Sequence, residues 1–236
     1  MLLADAGTSY IKILDSDSGK LKILSLAEFK DHPVLKANYV TGHNSNLFTE
    51  AIFVNELVAL ARGAKVIIPE KDFTILDIGS RDMKLVKFSD DEFEKCDWNT
   101  SCGAMIGFTM ELLMKYFNKK PEDIKDTNIS FDITCGLLGI TKFFDNISKT
   151  TSIEEGLSAL INGLSKFTWQ FAGKPQKLYL SGGISENKVF LNHLQKLVPN
   201  LKSLGRTVLI EGLRDIDKKS SGVKNERTFD SVTGNQ

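Results

Sequence analysis

Cysteine is scarce. The 236-residue chain has three, Cys96, Cys102 and Cys135, too few and too odd in number for a disulfide framework. The three histidines, His32, His43 and His193, stand far apart with no metal-ligand spacing, which argues against a zinc site. Net charge is absent as well: 30 Lys+Arg balance 30 Asp+Glu. Neither nucleic acid nor an anionic membrane surface is therefore expected as the main partner. No run approaches the ~20 apolar residues of a membrane span, and the first residues lack a secretory signal's basic start and apolar run. The expected location is the cytoplasm. What is present is an ordinary globular composition, 42% hydrophobic and 25% charged, enough for one large domain or two lobes.

Two hairpins of similar wording stand in the first part of the chain. Leu3-Ala4-Asp5 ends an apolar strand, Ala6-Gly7-Thr8-Ser9 turns, and Tyr10 to Leu14 returns, with a third strand expected over 21–26. The pattern recurs as Phe73 to Asp77, the turn Ile78-Gly79-Ser80-Arg81-Asp82, and a strand over 83–88. Both read as apolar strand, Asp, one residue, Gly, a hydroxyl residue, then a strand carrying a lysine, a repeat at the motif level only. Between them, apolar residues at helical spacing predict a helix over 47–62 stopped by Gly63, then a short strand over 64–68. The acidic stretch 89–99 reads as a connection. Helices are predicted over 103–117, 136–148 and 153–171, the last opened by Ser152 and Glu155 at capping-box spacing. A strand over 177–180, a glycine turn over 181–183, a helix over 186–197 and a last strand over 206–210 follow. The expected division is an N-terminal lobe over 1–88 with both hairpins, a C-terminal lobe over 89–217, and a polar tail over 218–236.

Three turns carry candidate chemistry. In Asp5-Ala6-Gly7-Thr8-Ser9, glycine lets the backbone approach a phosphate, and successive N–H groups with two hydroxyls can cradle it. Asp5 would hold a hydrated Mg²⁺, and Lys12 on the next strand could balance phosphate charge. Asp77, Gly79 and Ser80 repeat that chemistry, and Ser181-Gly182-Gly183 between a strand and a helix suits a nucleoside packed on the backbone. Each turn alone also fits a plain structural role; the ordered set is less readily explained so. Cys102 and Cys135 each stand just before an expected helix, where the dipole and free N–H groups stabilise a thiolate. Two per chain are half of a Cys₄ iron–sulfur ligand set, which a twofold dimer would complete. The alternative is two buried thiols packed as small hydrophobes. Cys96, in the acidic stretch, is read as incidental.

In this order the turns resemble the actin-like, sugar-kinase and heat-shock ATPase superfamily. That resemblance implies an α/β, two-lobed actin-like (ribonuclease-H-like) fold with a nucleotide cleft between the lobes. More narrowly, the chain resembles the activators of 2-hydroxyacyl-CoA dehydratases and the ATPase subunits of benzoyl-CoA reductases. Their Cys-Ala-Ala-Gly-Thr-Gly segment is similar to Cys102-Gly103-Ala104-Met105-Ile106-Gly107, their Ser-Thr-Cys to Ile133-Thr134-Cys135, and their Thr-Gly-Tyr turn to Thr41-Gly42-His43. The resemblance implies ATP or ADP with Mg²⁺, held by Gly7, Thr8, Ser9, Lys12, Gly79, Ser80, Gly182 and Gly183, with Asp5, Asp77 and Arg81 at catalytic positions. It also implies a homodimer sharing one [4Fe–4S] cluster through Cys102 and Cys135, and ATP-driven electron transfer to a dehydratase-type iron–sulfur enzyme. Ser80 and Arg81 replace the family's glycine and water-orienting glutamine, and its small-residue helix near the C-terminus is missing. Guanidinium is a donor only, always charged, so slow hydrolysis is expected. Two other functions stay open: a non-catalytic nucleotide-binding regulator or scaffold, and a small-molecule kinase, whose base could only be Asp77 or Asp82.

Overall fold

Among the described residues, short strands build two five-stranded sheets and one two-stranded sheet. The computed structural model describes the backbone of residues 1–31, 35–99 and 105–230, and the side chains of these as far as residue 220. It divides into two units, Met1–Pro69 with Thr207–Gln236, and Glu70–Arg206.

The first unit opens with β1 (Leu2–Ala6), β2 (Tyr10–Asp15) and β3 (Lys20–Ser25), an antiparallel meander. Helix α1 (Leu26–Lys30) starts at a capping box: the Ser25 hydroxyl accepts the Glu28 N–H, and the Glu28 carboxylate accepts the Ser25 N–H. Then come β4 (Leu35–Lys36), β5 (Tyr39–Thr41), β6 (Phe48–Thr49), β7 (Ile52–Phe53) and α2 (Glu56–Ile67). The sheet order is β3-β2-β1-β5-β7, with β5 and β7 parallel to β1. The helix expected over 47–62 is thus displaced. Its first residues form β6 and β7, and the helix begins after Asn55, whose side chain accepts the Leu57 N–H at 2.9 Å. It runs through Gly63 and takes in residues 64–67 of the expected strand over 64–68.

The second unit repeats the sheet plan. Strands β8 (Phe73–Ile78), β9 (Met83–Ser89) and β10 (Glu92–Asn99) are an antiparallel meander. Helices α3 (Ile106–Tyr116), α4 (Gly136–Asn146) and α5 (Ile153–Phe171) follow, then β11 (Lys177–Ser181), α6 (Lys188–Gln195) and β12 (Asn200–Ser203). The order β10-β9-β8-β11-β12 matches the first sheet, again with the last two strands parallel to the central one. Leu76, Ile78, Ile106, Phe143, Leu160 and Phe190 are buried in the core beneath it. The polar stretch 89–99, expected to be a connection, is an edge strand held through backbone pairing with β9, its side chains mostly exposed. The last strand among the described residues is β12, and 206–210 is not a strand.

Residues 208–210 instead begin α7 (Val208–Asp230), which belongs to the first unit and takes in much of the expected tail. Tyr39 Oη donates to Ser220 Oγ at 3.0 Å. Glycine explains how α7 seats: a Cβ on Gly63 would lie 1.9 Å from the Val208 carbonyl oxygen, and one on Gly212 1.9 Å from that of Ala59. The two helices touch backbone to backbone there, so Gly63 is a contact residue rather than a stop. The division therefore differs from 1–88, 89–217 and 218–236. The second hairpin starts the second unit, and the last helix returns to the first.

Candidate functional site

Each five-stranded sheet carries one row of three polar side chains across its middle strands. In the first, Asp5 on β1 has Lys12 of β2 and Thr41 of β5 as its register partners. Residues paired in this way point to the same face of a sheet. In the second, Asp77 on β8 has Lys84 of β9 and Ser181 of β11. Lysine follows aspartate by seven positions in both hairpins. Both aspartates are buried, Asp5 with Lys12 Nζ at 2.5 Å and Asp77 accepting the Ser181 hydroxyl at 2.6 Å. A buried charge needs such partners, because desolvation penalises it heavily.

The row ends in a glycine in both units. Gly42 follows Thr41 with φ +98°, and a Cβ there would stand 2.4 Å from the Ala6 carbonyl oxygen. Gly182 follows Ser181 with φ +87°, and a Cβ would stand 2.2 Å from that of Ile78. Ala6 and Ile78 are the residues just after the two aspartates, so the repeat extends well beyond the hairpin motif. The turn residues Gly7, Thr8 and Ser9 are partly or fully exposed. Asn44 steadies this turn, its Nδ2 donating to the Gly7 carbonyl at 2.8 Å and its N–H to that of Ala6 at 2.9 Å.

In the second hairpin the Gly79 N–H donates to the Asp82 carbonyl at 3.0 Å, Ser80 is half-buried, and Arg81 is exposed. Sequence reasoning passed over what surrounds this turn. Lys84 is buried, its Nζ 2.6 Å from Asp82 Oδ1, and Trp98 Nε1 donates to Asp82 Oδ2 at 2.9 Å. The only signal for Lys84 was its spacing from Asp77, shared with Lys12 and Asp5. On the other side, the Phe108 N–H at the start of α3 donates to the Ser80 carbonyl at 3.1 Å, and a Cβ on Gly107 would lie 2.7 Å from that of Gly79. Gly182 is buried and Gly183 exposed at the end of β11.

Cys135 is the N-cap of α4. It is buried, and its Sγ accepts the Leu138 N–H at 3.4 Å. Gly136 beside it packs on the backbone of Met105, where a Cβ would come within 2.7 Å, and Thr109 Oγ1 donates to the Gly136 carbonyl at 2.8 Å. Cys102 lies outside the described residues. Cys96 is exposed on β10. Among the described residues no group of three or more His, Cys, Asp or Glu could hold a metal ion. The start of α3, beside Met105, and Cys135 are thus adjacent, and the same stretch of chain grips the 79–82 turn.

The strand order and the hairpin turns identify the architecture when set against solved structures. An activator of the 2-hydroxyisocaproyl-CoA dehydratase from Clostridium difficile, with bound ADPNP, superposes with a TM-score of 0.72 at 18% identity, covering 95% of this chain and 98% of that one. The fold is that of a dehydratase activator. Component A of the (R)-2-hydroxyglutaryl-CoA dehydratase of Acidaminococcus fermentans follows with a TM-score of 0.69 at 16% identity, over 90% and 93% of the two chains. The ethanolamine utilization protein EutJ of Carboxydothermus hydrogenoformans gives 0.51 at 14% identity, over 89% and 87%. The activator fold is shared here at low identity, and no family model and no curated protein matches the sequence. Among the described residues no helix is long and apolar enough to cross a membrane.

Proposed function

We propose that this protein binds Mg-ATP and acts as an activator-type electron-transfer protein for a dehydratase-type iron–sulfur enzyme. The observation that carries this reading is the repeated row: a buried aspartate one residue before the end of the first strand of each hairpin, followed by a glycine-bearing turn. Gly7, Thr8, Ser9 and Ser80 would offer N–H groups and hydroxyls to phosphates, with Gly79 letting the backbone approach them, Lys12 balancing charge and Asp5 and Asp77 holding hydrated Mg²⁺. Gly182 and Gly183 would receive the nucleoside. Likeness of fold to a chain solved with ADPNP supports the same reading.

Cys135 suits an iron–sulfur ligand, because its Sγ sits at a helix N-cap and already receives an N–H. With Cys102 it would supply two of four thiolates, a homodimer the rest. Such a [4Fe–4S] cluster supplies one-electron transfer when bound. Beside Cys135, α3 and α4 expose Phe108, Leu112, Tyr116, Leu137, Leu138 and Phe144, an apolar face of the kind that covers itself by association. Arg81 in the exposed turn makes turnover slow, and a nucleotide-binding regulator is the second reading it favours.

Calorimetry with Mg-ATP tests the nucleotide site. Wild type should bind, and Asp5→Asn should bind about tenfold more weakly, the usual cost of losing a charge-assisted bond. Equal affinities would remove Asp5 from the site, and a wild type without affinity would end the proposal.

A further inference from the structure

One buried hydroxyl of the first row has no partner among the described residues. Thr41 is fully buried, and its Oγ1 makes no hydrogen bond among the described residues. An unpaired buried hydroxyl costs about 1–3 kcal/mol, and valine would fill the same space without that cost. A group retained at such expense calls for an explanation, and its place in the fold supplies one. Thr41 is the register partner of Asp5, on the same face of the sheet. It also occupies the position that Ser181 holds in the second unit: register partner of the row's aspartate, and followed by a left-handed glycine that packs on the residue after that aspartate. Ser181 donates to Asp77. In the first unit Asp5 Oδ2 is taken by Lys12 instead, and the Thr41 hydroxyl is left over.

We propose that Thr41 is a positioning residue of the metal–nucleotide site, resting on the reading of Asp5 as the residue that holds hydrated Mg²⁺. With one Asp5 oxygen holding hydrated Mg²⁺, the Thr41 hydroxyl would donate to the carboxylate from the neighbouring strand, as Ser181 does to Asp77. The carboxylate is then fixed in the orientation that receives the water.

Calorimetry on wild type, Thr41→Val and Thr41→Ser, each with ATP in the presence and absence of Mg²⁺, tests this. Thr41→Val should bind Mg-ATP about tenfold more weakly than wild type and metal-free ATP equally well, while Thr41→Ser restores the difference. Without nucleotide, Thr41→Val should melt at the same temperature as wild type or higher. Should it fail to fold, Thr41→Ala takes its place under the same criteria. Equal Mg-ATP affinity for Thr41→Val, or a loss of the same size with and without Mg²⁺, would overturn the proposal and leave the nucleotide site standing. Absence of Mg-ATP binding in wild type would instead overturn the site and this proposal together.

Discussion

Gly182 sits at φ +87° with its Cα so close to β8 that a Cβ would stand 2.2 Å from the Ile78 carbonyl oxygen. Its neighbour Gly183 has nothing within 4 Å and no left-handed backbone. The two adjacent glycines therefore separate two effects that sequence cannot. Gly182→Ala incurs both left-handed strain and overpacking against backbone, so it should lose about 3 kcal/mol. Gly183→Ala should change stability by less than about 1 kcal/mol. Urea midpoints at unchanged slope measure both, and similar losses at the two positions would contradict the close approach. Both glycines were legible as turn formers from Ser181-Gly182-Gly183. Which of them is compulsory was not, because the obstacle is a carbonyl roughly one hundred residues earlier in the chain.

At the scale of elements, α5 was the most legible: its predicted span, 153–171, is the observed one. Ser152 accepts the Glu155 N–H, as the capping-box spacing anticipated. Its packing against α6 was not foreseen. There His193 is buried, its Nε2 3.0 Å from Asp126 Oδ1 and 3.3 Å from the Ser158 hydroxyl, while its Nδ1 has no partner among the described residues. Burial pushes the His193 pKa down, against the pull of Asp126 and with the help of Lys196 and Lys166. Burial would raise the Asp126 carboxyl, but the Lys196 hydrogen bond and charge, joined by His193 only when it is protonated, hold it below its ordinary value. A histidine with a lowered folded pKa stays neutral in the fold while the unfolded chain takes up a proton. Its contribution is thus favourable above the unfolded pKa of about 6.5 and declines as pH falls from there toward the folded value. The urea midpoint of wild type should fall between pH 7 and pH 5, and fall less in His193→Gln. Parallel curves would acquit His193.

On the scale of the whole molecule, the cysteines make the strongest demand. If Cys102 and Cys135 of two chains hold one cluster, the twofold axis doubles every substitution and removes two of four ligands. Iron content after anaerobic reconstitution should collapse in Cys102→Ser and in Cys135→Ser, while Cys96→Ser keeps it. Sedimentation should show a weakened dimer in the first two alone, since ligation stabilises only the assembled state. A colourless monomeric wild type, or equal iron loss in Cys96→Ser, would sink the cluster and favour the regulator. The chain's path matters at this scale too. It leaves the first unit at Pro69 and re-enters at Thr207, so α7 completes a unit whose sheet was laid down at the other end of the sequence.

The sequence by itself determined what short-range chemistry can determine. Both hairpins, the glycine turn after β11, the helix over 153–171 and the N-cap position of Cys135 follow from alternation, turn residues and capping side chains within a few positions. They needed no distant partner to be read. Tertiary structure decided the rest. Gly63 reads as a helix stop until α7 presses on it, and β10 reads as a polar linker because an exposed edge strand is held by backbone pairing with no apolar alternation to betray it. The tail after Lys218 lacks a core signal, yet its helix runs on from an apolar start at Val208. The rows Lys12-Asp5-Thr41 and Lys84-Asp77-Ser181 join residues from three strands each, and the two Asp–Lys pairs aside, no local pattern links their members. Register, which sets every side chain on one face or the other, is fixed only when the strands meet.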